Sequence, residues 1–159
     1  MKPYLEGVNS MLTLEELEHY LLQNDSTFEI IAHQTPIHST IDAEPYFDIK
    51  KAAPTLILQT NLGLIALIAS SQRGRLDFNS LKLAFGYTKL KMADKKAVVE
   101  RTGYYPGAIP LIGHGLPCIF DTSLLALDYI YGGSGDELHT LKIVPDDVVR
   151  LNNVTAFLE

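Results

Sequence analysis

The sequence predicts an α+β fold: a single mixed, curled β-sheet surrounded by helices. Three observations carry this expectation. Apolar segments of helical and of strand period interleave along the chain. Two pairs of neighbouring strands are joined by turns tight enough to make hairpins, which excludes a purely parallel sheet. No apolar run reaches the roughly 18 residues needed to cross a bilayer.

Thr13 and Glu16 form a capping box ahead of Leu14, Leu17, Tyr20 and Leu21, whose spacing is helical. Asn24-Asp25-Ser26 ends that helix, and residues 28–32 read as a strand. A polar segment with Pro36 and His38 leads to a short helix near residues 41–46. Residues 54–59 and 64–70 are apolar strands turned at Asn61-Leu62-Gly63. Asp77 caps a helix carrying Phe78, Leu81, Leu83 and Phe85, which Gly86 stops. After a short strand at 90–93, Asp94 caps a helix that ends at Gly103. Strands follow at 118–120, 127–131 and 138–144, the last two joined across Gly132-Gly133-Ser134-Gly135. Pro145 suits the first position of a short helix, with Asp146 and Asp147 in its first turn, and residues 153–158 close as a strand.

The 159 residues, 47% hydrophobic and 20% charged, fit one domain spanning 1–159, large enough to bury roughly two-thirds of its unfolded surface. Cys118 is the only cysteine, so no intrachain disulfide forms, and Met1-Lys2-Pro3-Tyr4-Leu5-Glu6 has no apolar signal-peptide core. A soluble, cytoplasmic protein with no membrane partner is expected. The net charge of −6 argues against a general nucleic-acid binder, and no DNA partner is expected. The charge is uneven, however. Residues 1–48 hold nine acids and one base, whereas residues 73–101 hold eight bases against three acids. Arg73, Arg75, Lys89, Lys91, Lys95 and Lys96 are candidates for a phosphate-facing track, with a solvated helix face as the alternative.

The five histidines show no metal-ligand spacing, so neither a metal nor a cofactor is expected. The glycines at 132–135 precede a strand rather than a helix N-terminus and read as a hairpin turn rather than a phosphate loop. Ser123 lacks a nucleophile elbow, and Cys118 sits in an apolar strand, the usual place of an inert thiol. The informative segment is 103–117, with four glycines and three prolines in fifteen residues. Glycines let main-chain N–H groups approach a ligand, and prolines reduce the entropy of holding that shape. Such a loop suits binding of a carbonyl or oxyanion by main-chain donors.

Several segments together resemble the YbaK/ProX family, also found as the editing insertion of bacterial prolyl-tRNA synthetases. The likeness is strongest over residues 38–159. It runs through His38, Thr55-Leu56, Leu76-Asp77-Phe78, Lys89-Leu90-Lys91-Met92-Ala93, Thr102-Gly103-Tyr104, Gly107-Ala108, Gly113, Leu116-Pro117, Phe120-Asp121, Leu141-Lys142-Ile143, Pro145, Asp147 and Leu151. The resemblance implies hydrolysis of mischarged aminoacyl-tRNA, in which a Gly-x-x-x-Pro backbone loop holds the ester carbonyl and a lysine helps place the substrate. A tRNA hydroxyl or the substrate's own side chain assists the attack. Pro54 stands here where the family carries that lysine, and Leu111 where it carries the loop's final proline.

The implied substrate-binding residues are Thr55, Gly107, Ala108, Ile109, Pro110, Leu111, Gly113 and His114; Lys51 and Asp121 are catalytic candidates, although Asp121 equally fits a cap for the following turn. The implied partners are mischarged tRNA and an aminoacyl-tRNA synthetase. Two readings stay open: a trans-editing deacylase, and a noncatalytic binder of an aminoacyl group or aminoacyl-tRNA. With Pro54 and Leu111 in place, an apolar pocket favouring a small uncharged aminoacyl group is expected.

Overall fold

The computed structural model describes residues 11–159, so the polar start at 1–6 lies outside the described residues. Its elements are α1 (Leu14–Gln23), β1 (Phe28–Ala32), α2 (Thr40–Ala43), β2 (Thr55–Thr60), β3 (Gly63–Ile68), α3 (Phe78–Phe85), β4 (Leu90–Met92), α4 (Lys95–Thr102), β5 (Pro117–Asp121), β6 (Ile130–Gly133), β7 (His139–Ile143), α5 (Pro145–Arg150) and β8 (Asn153–Leu158). The architecture is mixed α+β. Its strands fall into two hydrogen-bonded groups rather than one: a five-stranded mixed sheet in the order β4-β2-β3-β5-β8, and a three-stranded antiparallel sheet in the order β1-β7-β6. They join where Ala52 bridges Tyr131 and the Ala53 N–H donates to Tyr131 O at 2.8 Å.

Local chemistry accounts for most boundaries. The Thr13–Glu16 capping box closes both ways, at 3.0 and 3.1 Å, and α1 buries Leu17, Tyr20 and Leu21. The β2–β3 hairpin turns through Asn61-Leu62 into Gly63 at φ +120°, a value that favours glycine. The Thr60 hydroxyl braces this turn by accepting from the Leu62 N–H at 3.0 Å and donating to Gly63 O at 2.8 Å. Strands β3 and β5 are central and covered on both faces. Ala66, Ile68, Cys118 and Phe120 face one cluster, while Ile65, Leu67 and Ile119 face the other. That burial explains their unbroken apolar runs.

Two expectations are corrected. Asp94 starts α4, but its side chain makes no capping hydrogen bond. Gly132 and Gly133 are not the hairpin turn; they are the last residues of β6. The turn lies beyond them and is closed by Ser134, whose hydroxyl donates to His139 O at 2.7 Å and accepts from the Asp136 N–H at 3.2 Å. The glycines are needed by packing instead. A Cβ on Gly133 would stand 1.9 Å from Ile109 O, and one on Gly132 would stand 2.6 Å from Leu111 Cδ1. The Leu111 N–H donates to Gly133 O at 3.0 Å across the same contact. Loop and strand thus touch main chain to main chain.

Among the described residues no helix is long and apolar enough to cross a membrane. The close contact generates a prediction. Gly133→Ala forces the 109–111 segment away from β6 and destabilises the fold by at least about 2 kcal/mol, because the clash is with backbone. Urea unfolding of the variant against the parent checks this; an unchanged midpoint contradicts the packing.

Candidate functional site

A cleft of about 210 Å³ opens where the segment from Ile37 to Leu56 faces the outer surface of β6 and β7. One wall is the turn Pro106-Gly107-Ala108 with Ile109. The floor is Gly132 and Gly133, and Thr55 stands at the start of β2. The loop that supplies the wall is not slack. Gly103 takes a left-handed conformation at the end of α4, at φ 82°. Tyr104 is buried, its hydroxyl accepting from the Leu12 N–H at 2.7 Å. Ile109, Leu111, Ile112 and Leu116 are plugged into the core. A loop rich in glycine and proline is therefore anchored to the core by its apolar side chains.

Of the residues read from the sequence as substrate-binding, Thr55, Gly107, Ala108 and Ile109 line the cleft. Pro110, Leu111, Gly113 and His114 lie in the packed layer behind it, all four buried. Thr55 is itself buried, and its Oγ1 has no hydrogen-bond partner among the described residues.

Lys51 lies outside the cleft, its Nζ held by Asp128 Oδ1 at 2.8 Å. Asp121 also lies outside it, fully buried and engaged as a structural hub. It accepts from the Ser70 N–H at 2.9 Å, the Ser123 N–H at 2.9 Å, the Ser123 hydroxyl at 2.7 Å and Arg73 Nη1 at 3.1 Å. Burial pushes its pKa upward, but these donors outweigh it and hold the carboxyl below its ordinary value. Cys118 is buried without an activating neighbour, and burial pushes its thiol to about 12, beyond any nucleophilic role at neutral pH.

The basic residues divide. Arg73 is half-buried and spent on Asp121 and the Glu159 carbonyl. Arg75, Lys89, Lys91, Lys95 and Lys96 are exposed, and none lines the cleft.

Several cleft residues escaped the sequence reading of the site. Phe47 and Tyr131 stack with ring centres 4.5 Å apart and planes 12° from parallel. His38 Nε2 meets Glu137 Oε2 at 2.7 Å, and His139 Nδ1 stands 3.4 Å from Asp136 Oδ1 without hydrogen-bond geometry. The Asp136 carboxyl lies below its ordinary value. The Leu138 N–H is the main cause, working against burial, with His139 assisting. Among the described residues no lysine or arginine lines the cleft, so its fixed charges are the two carboxylates. A glycine pair directly after Tyr131 was the available signal, but it also fits a turn.

Among the described residues, no group of three or more His, Cys, Asp or Glu is placed to hold a metal ion.

A mixed five-stranded sheet and a three-stranded antiparallel sheet, with a cleft walled partly by main chain against the smaller one, define an α+β domain. The sequence profile of the aminoacyl-tRNA editing domain matches residues 35–151, and the chain belongs to this family. Among solved structures, hypothetical protein APE2540 is similar at 25% identity and a TM-score of 0.75, over 89% of this chain and 96% of that one. A protein described as a candidate trans-editing enzyme for prolyl tRNA synthetase is similar at 18% identity and a TM-score of 0.75, over 92% and 96%. The latter likeness speaks to fold. No curated protein matches the chain significantly.

His114 yields a pH prediction. Its Nδ1 accepts from the Leu116 N–H at 3.1 Å, so the proton of the neutral ring sits on Nε2, which has no well-formed hydrogen bond among the described residues. Burial is the chief cause that lowers its pKa from 6.5 to about 4. The neutral ring's contribution to stability is complete above pH 6.5 and is lost as pH falls toward 4, because the unfolded chain takes up the proton first. His114→Asn keeps an acceptor for the Leu116 N–H and removes the titration. From pH 7 to pH 4 the parent should lose about 3 kcal/mol more unfolding free energy than the variant. Parallel losses in the two proteins contradict this.

Proposed function

We propose that the chain is a trans-editing deacylase that hydrolyses the ester joining a wrong amino acid to tRNA. One observation carries the reading: a buried Thr55 hydroxyl without a partner shares a cleft with uncommitted main-chain donors. In the loop, the Ala108 N–H is used on Tyr105 O at 2.9 Å and the Leu111 N–H on Gly133 O at 3.0 Å, while Pro110 has none. Among the described residues nothing accepts from the Gly107 or Ile109 N–H. An aminoacyl ester supplies what these groups lack: a carbonyl oxygen, on which negative charge grows as water attacks. Water adds to the carbonyl carbon and the bond to the ribose oxygen breaks. That oxygen leaves with a proton, as free amino acid and tRNA form. The family resemblance assigns help in the attack to a tRNA hydroxyl or the substrate's own side chain, consistent with a cleft outside which Cys118 lies buried. Mischarged tRNA is then the partner, arriving from a synthetase, and the cytoplasm is the compartment.

The absence of any lysine or arginine from the lining favours a second reading, a protein that holds the aminoacyl end without cleaving it. A panel of mischarged tRNAs separates the two. Loss of the ester, fastest for a small uncharged aminoacyl group in a cleft of about 210 Å³, supports the deacylase. Binding with an intact ester supports the holder, and fastest release of a charged aminoacyl group contradicts the expected preference. Thr55→Val sharpens the test. Removing an unpartnered buried hydroxyl leaves stability unchanged or raised by about 1 kcal/mol, while the lost ligand hydrogen bond slows deacylation about ten-fold. Equal activity in the variant removes Thr55 from the site.

A further inference from the structure

The three-stranded sheet turns one face to the core and the other outward. Ile130, Leu141 and Ile143 point inward. Cross-strand pairing puts Tyr131 opposite Lys142 and Lys142 opposite Glu29, and residues 129, 131 and 133 share the outward side of β6 and its approach. The cleft occupies one end of this outward face, at Gly133, Thr140 and Tyr131. Beyond Tyr131 the same face continues past Lys142 to Tyr129. Lys142 Nζ lies 4.6 Å from the centre of the Tyr129 ring and 6.0 Å from that of Tyr131. Both tyrosines and the lysine are half-buried, and so are presented without being sealed.

The two ends of this face differ in charge. Asp136 and Glu137 line the cleft at one end, and Lys142 lies beyond the cleft toward Tyr129. An aminoacyl group esterified to RNA has the matching polarity, with a cationic α-ammonium followed by anionic phosphates. Lys142's own carboxylate partner, Glu29, is 4.0 Å away and largely exposed, a pairing weak enough for a phosphate to displace. Lys51, at 2.8 Å from Asp128, is committed by comparison. Aromatic faces beside a lysine are what single-stranded nucleic acid binds, since every base has a face to stack and every linkage a charge to neutralise.

We propose that the outward strip Tyr131–Lys142–Tyr129 receives the single-stranded 3′ end of the RNA whose aminoacyl ester enters the cleft. This rests on the editing reading for the identity of the ester, but its test does not need catalysis. The exposed lysines at 89–96 have no stacked aromatic pair and no place in the cleft lining, so they act at most as distant attraction.

The test is the affinity of the parent and two single variants, Tyr129→Ala and Lys142→Gln, for an unacylated RNA stem–loop with a single-stranded 3′ tail, read by fluorescence anisotropy. Each variant should weaken binding about ten-fold while melting as the parent does, and a blunt-ended stem–loop should bind the parent equally weakly. Lys142→Gln, a surface change, keeps the test decisive if Tyr129→Ala unfolds. Parent-like affinity in Lys142→Gln, equal binding of tailed and blunt RNA, or no RNA binding at low salt each overturns the proposal. Binding that is lost on Lys95→Glu with Lys96→Glu but untouched in Lys142→Gln also overturns it, and assigns the RNA to the other surface. If the tailed RNA binds as proposed while no mischarged tRNA is hydrolysed, the deacylase reading fails and the strip stands.

Discussion

The cleft depends on one contact, the main-chain approach of residues 109–111 to Gly132 and Gly133. Any side chain at Gly133 would overlap Ile109 O, so loop and strand meet only because β6 ends in two glycines. The hydrogen bond from the Leu111 N–H to Gly133 O fixes the register of that meeting, and the buried side chains of Leu111 and Ile112 hold it from behind. The consequence reaches the site directly. With Leu111 anchored and Ala108 closing its own turn, Gly107 and Ile109, whose N–H groups find no acceptor among the described residues, are held at the cleft wall. In the deacylase reading proposed above, donors fixed in advance would cost no reorganisation during the reaction, which is what oxyanion stabilisation requires.

Polar groups divide between holding the fold and facing the cleft. Asp121 has four donors and no access to the cleft, so its charge is spent on tying β3, β5 and Arg73 together. Thr55 is the reverse case, a buried hydroxyl that the fold leaves without a partner. A group of that kind lowers stability unless something else satisfies it. Placing it in one cleft with uncommitted main-chain donors concentrates unmet hydrogen-bonding capacity in one place, and among the described residues the carboxylates of Asp136 and Glu137 add the fixed charge of the lining.

Much of the fold was legible in the sequence because local signals agreed with the tertiary result. The Thr13–Glu16 box, the turn before Gly63, the αL stops at Gly86 and Gly103, and Pro145 at a helix start each have a local physical cause. Where the reading slipped, the deciding contact was distant. Gly132 and Gly133 look like a turn from their neighbours; only the position of Ile109 explains them as strand. The site was half legible for the same reason. Gly107 to Ile109 and Thr55 stood out by composition and family likeness. His114 and Leu111 carried the same signal, yet they serve the core. Phe47, Asp136 and His139 carried no signal, since their role comes from the crossing of segments about ninety residues apart.

The central claim is that the main chain of one core-anchored loop, with the Thr55 hydroxyl, binds the aminoacyl end. Its most direct test is an amide chemical-shift titration with an aminoacyl-adenosine analogue in which a stable amide replaces the ester. The account predicts the largest shifts at the Gly107 and Ile109 N–H groups and at Thr55, with little change at Asp121 or in α4. Shifts centred on Arg73 to Lys96, with Gly107 and Ile109 unmoved, would contradict it.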